Sequence, residues 1–379
     1  MSPRRETFFA SCPPGFERVL LEEARALKLP KPEAQYGGVQ FPGTMVEAAR
    51  ANLWLRTAGR VLLRLARFPA ATSDQLYEGV RKIKWERFVD AEGTLAVSAR
   101  GKNPGLTNSH FVERRVKDAI VDQFRDATGK RPSVDLEDPD LNVTCRIAGD
   151  RATILADTSG MPLFKRGWRR SRGIAPLKET LAAFMVLASG WDGRSPLLDP
   201  FCGSGTILIE AAMIAGNHAP GLLRERFGFE RWPEHRAAPI AKLREEARAA
   251  VSMPRRVILI GSDNDAKAVA AAQENIEAAG LADRIVIEHA NVTNFAPKKG
   301  WNAFIVTNPP YGERMGKADK LRGLFREFGE TLRRDACGYR VTILVGHPAL
   351  KKALGFTPEV TREVRNGPLE CELLTFGVP

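Results

Sequence analysis

Residues 197–206 read Leu197-Leu198-Asp199-Pro200-Phe201-Cys202-Gly203-Ser204-Gly205-Thr206, and they lead straight into the apolar stretch Ile207–Ala215. A short apolar strand ends on a carboxylate, turns through glycines and opens a helix. Glycine lets such a turn bend tightly and lets a ligand approach the backbone. The turn has no phosphate-loop lysine and is not G-x-G-x-x-G, which makes nucleotide phosphate a poor ligand. The amides of the helix N-terminus suit a ligand carboxylate better.

The same alternation repeats downstream. Val257–Ile260 precedes Gly261-Ser262-Asp263, Ile285–Ile287 precedes His289, Phe304–Val306 precedes Asn308, and Val341–Val345 precedes Gly346. Helical segments lie between them, the pattern of a doubly wound parallel sheet in an α/β domain. Val360–Val364 and Cys371–Phe376 flank Asn366-Gly367 and predict an antiparallel hairpin at the sheet edge.

Upstream, two smaller units mix helices with strands. In the first, Pro13-Pro14-Gly15 opens a helix carrying Phe16, Val19, Leu20 and Ala24. A second helix is expected from Thr44, as N-cap, to about Ala58, and a strand from Val61 to Phe68. In the second, Leu95–Ala99 predicts a strand. Asn108 or Ser109 caps a helix with Phe111, Val112, Val116, Ala119, Ile120 and Phe124 on one face, and strands follow near Asn142–Ile147 and Ala152–Asp157. Boundaries are expected at 1–68, 69–160, a basic linker over 161–175, and the α/β domain over 176–379.

Composition narrows the chemistry. Lys plus Arg number 57 against 45 for Asp plus Glu, a net charge of +12 that points to a polyanion, RNA or DNA before a membrane surface. Five cysteines are scattered without a C-x-x-C pair, and five histidines lack ligand spacing, so neither a disulfide framework nor a metal site is expected. No apolar run reaches the length of a membrane span, and the N-terminus lacks a signal-peptide core. A cytoplasmic, soluble protein is the expectation.

Asn308-Pro309-Pro310-Tyr311 closes the fourth strand of the α/β domain. Two prolines make a stiff turn that neither continues a helix nor feeds a ladder. The Asn308 side-chain oxygen and the Pro309 carbonyl are acceptors suited to an exocyclic amine, and the Tyr311 ring can stack on a base. Together with the turn at Asp199–Thr206, the segment fits methyl transfer to an amino group on a nucleobase. Asp263 is the candidate for ribose hydroxyls, with Asn264 beside it, while Asp265 reads as a helix cap. Asn291 is placed either to read an adenine amine or to cap a turn. In the linker, Lys165, Arg166, Trp168, Arg169, Arg170 and Arg172 combine cations with one ring, either for RNA phosphates and stacking or as a solvated connection.

Asp-Pro-Phe-Cys-Gly-Ser-Gly-Thr at 199–206 followed by Asn-Pro-Pro-Tyr-Gly-Glu-Arg at 308–314 resembles the amino methyltransferases that use S-adenosylmethionine. The wider chain resembles the bacterial 23S rRNA guanine-N2 methyltransferases with a THUMP domain. Matching stretches include Phe8–Glu17, Ala51–Ala58, Val116–Asp122 and Leu163–Arg169. Such proteins were often labelled N6-adenine-specific DNA methylases because they share the Asn-Pro-Pro-Tyr motif. The resemblance implies a Rossmann-like methyltransferase domain behind a ferredoxin-like unit and a THUMP unit. It also implies S-adenosylmethionine held by Asp199, Pro200, Phe201, Gly203, Ser204, Gly205, Thr206, Asp263, Asn264, Asn291 and Asn308, catalysis at Asn308, Pro309, Pro310 and Tyr311, and structured RNA as partner, rRNA before tRNA. Two departures stand out. Phe164-Lys165-Arg166 replaces the family's usual His-Arg-Arg, and an insertion near Asn217–Met253 carries Arg224, Arg226, Phe227, Phe229, Arg231 and Trp232, as an RNA contact or a packed excursion.

Three alternatives stand beside this reading: a tRNA guanine-N2 methyltransferase, an adenine-N6 DNA methyltransferase, and a non-catalytic RNA-binding assembly factor. Oligomeric state is left open.

Overall fold

The computed structural model of this chain describes residues 5–171, 176–252, 254, 257–311 and 318–379. Its contacts fall into two compact units. One comprises Met1–Cys12, Leu21–Leu163 and Arg224–Glu246, the other Pro13–Leu20, Phe164–Leu223 and Ala247–Pro379.

The first unit is built from β1 (Glu6–Ser11), α1 (Glu17–Ala26, which begins in the other unit), β2 (Glu33–Gln35), β3 (Gly38–Gly43), α2 (Met45–Trp54), β4 (Arg60–Pro69), α3 (Ser73–Arg81), β5 (Thr94–Arg100), α4 (Ser109–Thr128), β6 (Ser133–Val134), β7 (Leu141–Ala148) and β8 (Arg151–Asp157). The two small units expected from sequence share one eight-stranded sheet, β2-β3-β1-β4-β8-β7-β5-β6. The seam is the antiparallel pair β4–β8, from Leu62 against Asp157 to Pro69 against Arg151, with a bulge between Arg64 and Ala66.

Local signals explain most of its helices. Thr44 caps α2 in a capping box, its own amide donating to Glu47 Oε2 at 2.7 Å. The helix ends at Trp54, short of the expected Ala58. There the amides of Arg56 and Thr57 leave the helical ladder for the carboxylate of Glu23, at 2.7 and 3.1 Å. Asn108 is the cap of α4, and Phe111 sits exposed at its first turn rather than on the buried face. The insertion packs as an excursion. Phe227, Phe229 and Trp232 are buried, and Arg224 donates to the carbonyls of Ser159, Met161 and Pro162 at 2.8–3.1 Å. Arg226 and Arg231 pair with Asp138.

The second unit contains α5 (Glu179–Ala188), β9 (Leu197–Asp199), α6 (Thr206–Ala215), the end of α7 (Ala237–Ala249), β10 (Leu259–Asp263), α8 (Ala266–Ala278), β11 (Ile285–His289), β12 (Phe304–Thr307), α9 (Ala318–Asp335), β13 (Arg340–Val345), α10 (Pro348–Leu354), β14 (Val360–Asn366) and β15 (Leu369–Gly377). Its sheet runs β11-β10-β9-β12-β13-β15-β14. The first five strands are parallel, and the expected hairpin joins them antiparallel through β15 on β13. The core on one face packs Phe325, Phe328 and Leu332 of α9 against Ile305, Val341 and Ile343.

The linker segment from Phe164 to Ser171 belongs to this unit and is not a solvated connection. Arg166 and Trp168 are buried, which corrects the expectation that they meet RNA. Arg166 makes an ion pair with Glu210, Nε to Oε1 at 3.2 Å, with both side chains out of solvent. Lys165 and Arg170 are exposed, and Arg172 lies outside the described residues.

A buried charge stripped of its partner is costly, whereas an apolar pair of similar volume is tolerated. Glu210→Ala is expected to lower the unfolding free energy by about 3–5 kcal/mol in urea denaturation, and Arg166→Met combined with Glu210→Leu to restore most of it. A loss under about 1 kcal/mol for the single change would show the pair to be energetically idle.

Candidate active site

Strand order reverses between β9 and β12, and ligand crevices of open α/β sheets lie at the carboxyl ends of strands at such a switch point. Asp199 ends β9 and Thr307 ends β12. Thr307 Oγ1 donates to Asp199 Oδ1 at 2.6 Å, and the amide of Phe201 donates to the same oxygen at 3.3 Å. This bond ties the glycine turn to the strand that delivers Asn308.

The turn then crosses the end of β10. The Cys202 amide donates to the Ser262 carbonyl at 2.9 Å, and the Gly203 amide to Asp263 Oδ2 at 2.9 Å. Gly203 and Gly205 hold φ of +53° and +77°, a region that L side chains rarely enter. Gly205 stands at the N-cap of α6 with no side-chain cap, leaving helix amides for a ligand.

Among the described residues the Asp263 carboxylate accepts only from the Gly203 and Asp265 amides, which leaves it lone pairs for a ligand. Asp265 caps α8 as expected, accepting from the Lys267 amide. Asn264 is exposed, its carbonyl 3.1 Å from His289 Nε2. Asn291 caps a short turn, its side-chain oxygen accepting from the Thr293 amide at 3.1 Å. Pro200 is buried, and Phe201 packs edge-on against Phe328 at 5.3 Å.

Arg169 takes a role the sequence did not disclose. It donates to Glu179 at 2.7 Å, to Ser204 Oγ at 3.1 Å, and to Thr206 Oγ1 and the Leu177 carbonyl at 3.0 Å. Asn275, fully buried on α8, accepts from the amides of Arg170 and Ser171 and donates to the carbonyls of Ser171 and Ser204. The basic segment is therefore a strap over the glycine turn, and Arg169, Ser204 and Thr206 spend hydroxyls and guanidinium on one another. Asn275 carried no signal in its sequence neighbourhood.

At the other lip, Asn308 Oδ1 is buried and finds no hydrogen-bond partner among the described residues, and Asp199 Oδ2 is in the same state. Buried polar atoms are rarely left so. Tyr311 is partly buried, and its hydroxyl accepts from Asn366 Nδ2 at 2.7 Å. Burial, with Asp263 nearby, pushes the Asp199 carboxyl up to about 7, against the lowering by Thr307. Uncapped helix amides, an open Gly203, a strand-end carboxylate and two unpartnered oxygens fit a cationic ligand with a carboxylate and a ribose, as S-adenosylmethionine is.

Comparison with known proteins agrees with this geometry. Residues 166–375 match the family model described as RMKL-like, methyltransferase domain, residues 70–157 the THUMP domain, and residues 7–62 the RlmL ferredoxin-like domain. The chain is 42% identical over 380 residues to a ribosomal RNA large subunit methyltransferase K/L of Pseudomonas paraeruginosa, covering 98% of this chain and 52% of that protein. A protein of the same description from Syntrophotalea carbinolica is also 42% identical, with 98% and 53% covered. The chain thus spans about half the length of the curated relatives it matches. Among solved structures, SMU.472 complexed with SAH superposes with a TM-score of 0.90 at 31% identity, covering 99% of both chains. A predicted N6-adenine-specific DNA methylase from Listeria monocytogenes gives 0.87 at 31%, covering 99% and 97%, and TrmN from Thermus thermophilus 0.71 at 26%, covering 99% and 100%.

The raised Asp199 carboxyl predicts a pH signature in the unliganded protein. Below pH 4 it is protonated folded and unfolded. Between its ordinary value of 3.8 and about 7, only the unfolded chain ionises, so its contribution to stability falls as pH rises and levels off above 7. Asp199→Asn should remove roughly 4 kcal/mol of that decline, read from denaturation at pH 4 and pH 8. Parallel profiles for the two proteins would contradict it.

Proposed function

The chain belongs to the RMKL-like methyltransferase family, and on that premise we propose that it transfers a methyl group from S-adenosylmethionine to guanine N2 in large-subunit (23S) ribosomal RNA. The observation that carries the reading is Asn308 Oδ1, buried and without a partner among the described residues, one residue beyond the Thr307–Asp199 bond. An acceptor atom waits beside the cofactor turn, and an exocyclic amine supplies the donors it lacks. RNA is favoured over DNA by the THUMP match and by relatives described as ribosomal RNA large subunit methyltransferases. The acceptor motif alone separates neither adenine from guanine nor the two nucleic acids.

S-adenosylmethionine supplies a methyl group already activated on a sulfonium, so this chain's task is alignment. The N-terminal amides of α6 take a carboxylate, and Asp263 accepts ribose hydroxyls with its remaining lone pairs. Asn308 Oδ1 and the Pro309 carbonyl accept the two amine hydrogens, aim the nitrogen lone pair and disperse the positive charge that grows on nitrogen. Tyr311 stacks on the base once it has left its helix. No strong base is required, because the proton is lost after transfer. Lys165 and Arg170, both exposed, are the strap cations proposed to meet phosphate. We assign the reaction to the cytoplasm, a reducing compartment that suits five cysteines outside any disulfide.

Tritiated methyl transfer is expected to large-subunit rRNA and not to tRNA or duplex DNA. Asn308→Ala should lower kcat by about 100-fold or more with little change in cofactor affinity by calorimetry. Undiminished turnover in that variant would remove Asn308 from the reaction.

A further inference from the structure

The C-terminal hairpin lies beyond the strands that carry the glycine turn, yet it reaches the acceptor loop. Asn366, the last residue of β14, donates from Nδ2 to the Tyr311 hydroxyl at 2.7 Å. Cys371 stands across the hairpin from Val364 with its thiol buried. That thiol also points at the Leu369 carbonyl at 3.9 Å. The ring lies against Gly346 at the end of β13, where an added Cβ would come within 2.4 Å of Tyr311 Cδ2. Glycine is required there by space, because the aromatic ring occupies the place of a side chain. Burial holds the phenol above its ordinary pKa, which keeps it neutral. Asn366 thus supplies the hydroxyl with a side-chain donor, and the phenol oxygen accepts from it.

We propose that Asn366 is a positioning residue for methyl transfer, which together with Gly346 locks the Tyr311 ring at the angle that stacks on the target base. Tyr311 then contributes a ring face and no proton. The inference rests on reading Asn308–Tyr311 as the acceptor site, and it gives the edge hairpin a part in the reaction. A tyrosine following two prolines still has two side-chain torsions to order. An anchored hydroxyl settles them before the base arrives, the kind of preorganisation from which alignment gains rate.

The test is a double-mutant cycle on the full chain with Asn366→Leu and Tyr311→Phe. It measures kcat and KM for tritiated methyl transfer to a large-subunit rRNA transcript, with cofactor Kd by calorimetry and the thermal midpoint. Leucine keeps close to the shape of asparagine and can neither donate to the hydroxyl nor accept from it. Each single change is expected to lower kcat about tenfold, the worth of one hydrogen bond, and the double change no further, because both remove the same bond. Cofactor Kd should hold, and Tyr311→Ala should fall below all three. Gly346→Ala supplies an independent arm, expected to lower kcat with cofactor Kd unchanged. Wild-type kcat in Asn366→Leu, or losses that multiply in the double variant, would overturn the inference. Absence of any transfer by the wild-type chain would overturn the acceptor-site reading beneath it.

Discussion

The hydrogen bond from Thr307 to Asp199 is the constraint on which the site depends. It joins the ends of two neighbouring parallel strands, β9 and β12, where the strand order changes direction. Asp199 leads into the turn that places a helix N-terminus, and Thr307 leads into the acceptor loop. One short bond between buried side chains sets the distance between those two tasks. The site also keeps part of its polarity unsatisfied, since one oxygen of Asp199 and the amide oxygen of Asn308 are buried without partners among the described residues. Such atoms cost free energy in the empty protein and become favourable contacts when donors or a cation arrive.

Two supports hold this arrangement from outside the glycine turn. The strap from Phe164 to Ser171 is anchored by Arg166 on Glu210, by Arg169 on Glu179, and by Asn275, which clamps backbone groups of both the strap and Ser204. The hairpin β14–β15 does for Tyr311 what the strap does for the turn. A methyl transfer that needs alignment more than proton chemistry gains from rigid lips on both sides of the crevice.

The strap also shows why charge in a sequence is ambiguous. Arg166, Trp168 and Arg169 read as a surface for RNA because five cations surround a ring in eight residues. In the fold, two of the arginines face carboxylates and the ring is buried. One signal was present: Glu210 is the lone charge in the apolar helix Thr206–Ala215, and a carboxylate among such neighbours needs a cation. Asn291 was similarly undecided between ligand and cap, and a bond to the Thr293 amide two residues on shows the cap. The insertion, with its mixture of arginines and aromatics, was balanced between contact and packing until the burial of Phe227, Phe229 and Trp232 decided for packing.

What the sequence determined by itself was local. The strands of the α/β domain, the glycine turn, the edge hairpin and the caps Thr44 and Asp265 follow from patterns within a few residues, because helix periodicity, turn geometry and capping are settled at that range. The two motifs announced the chemistry for the same reason. The tertiary structure alone decided the partners: Asp199 with Thr307 across 108 positions, Tyr311 with Asn366 across 55, Arg166 with Glu210 across 44. It also made one sheet of the two small N-terminal units through the seam of β4 on β8. Those choices depend on which buried polar group finds which other when the elements pack, and a buried donor or charge accepts whatever satisfies it, however far along the chain it lies.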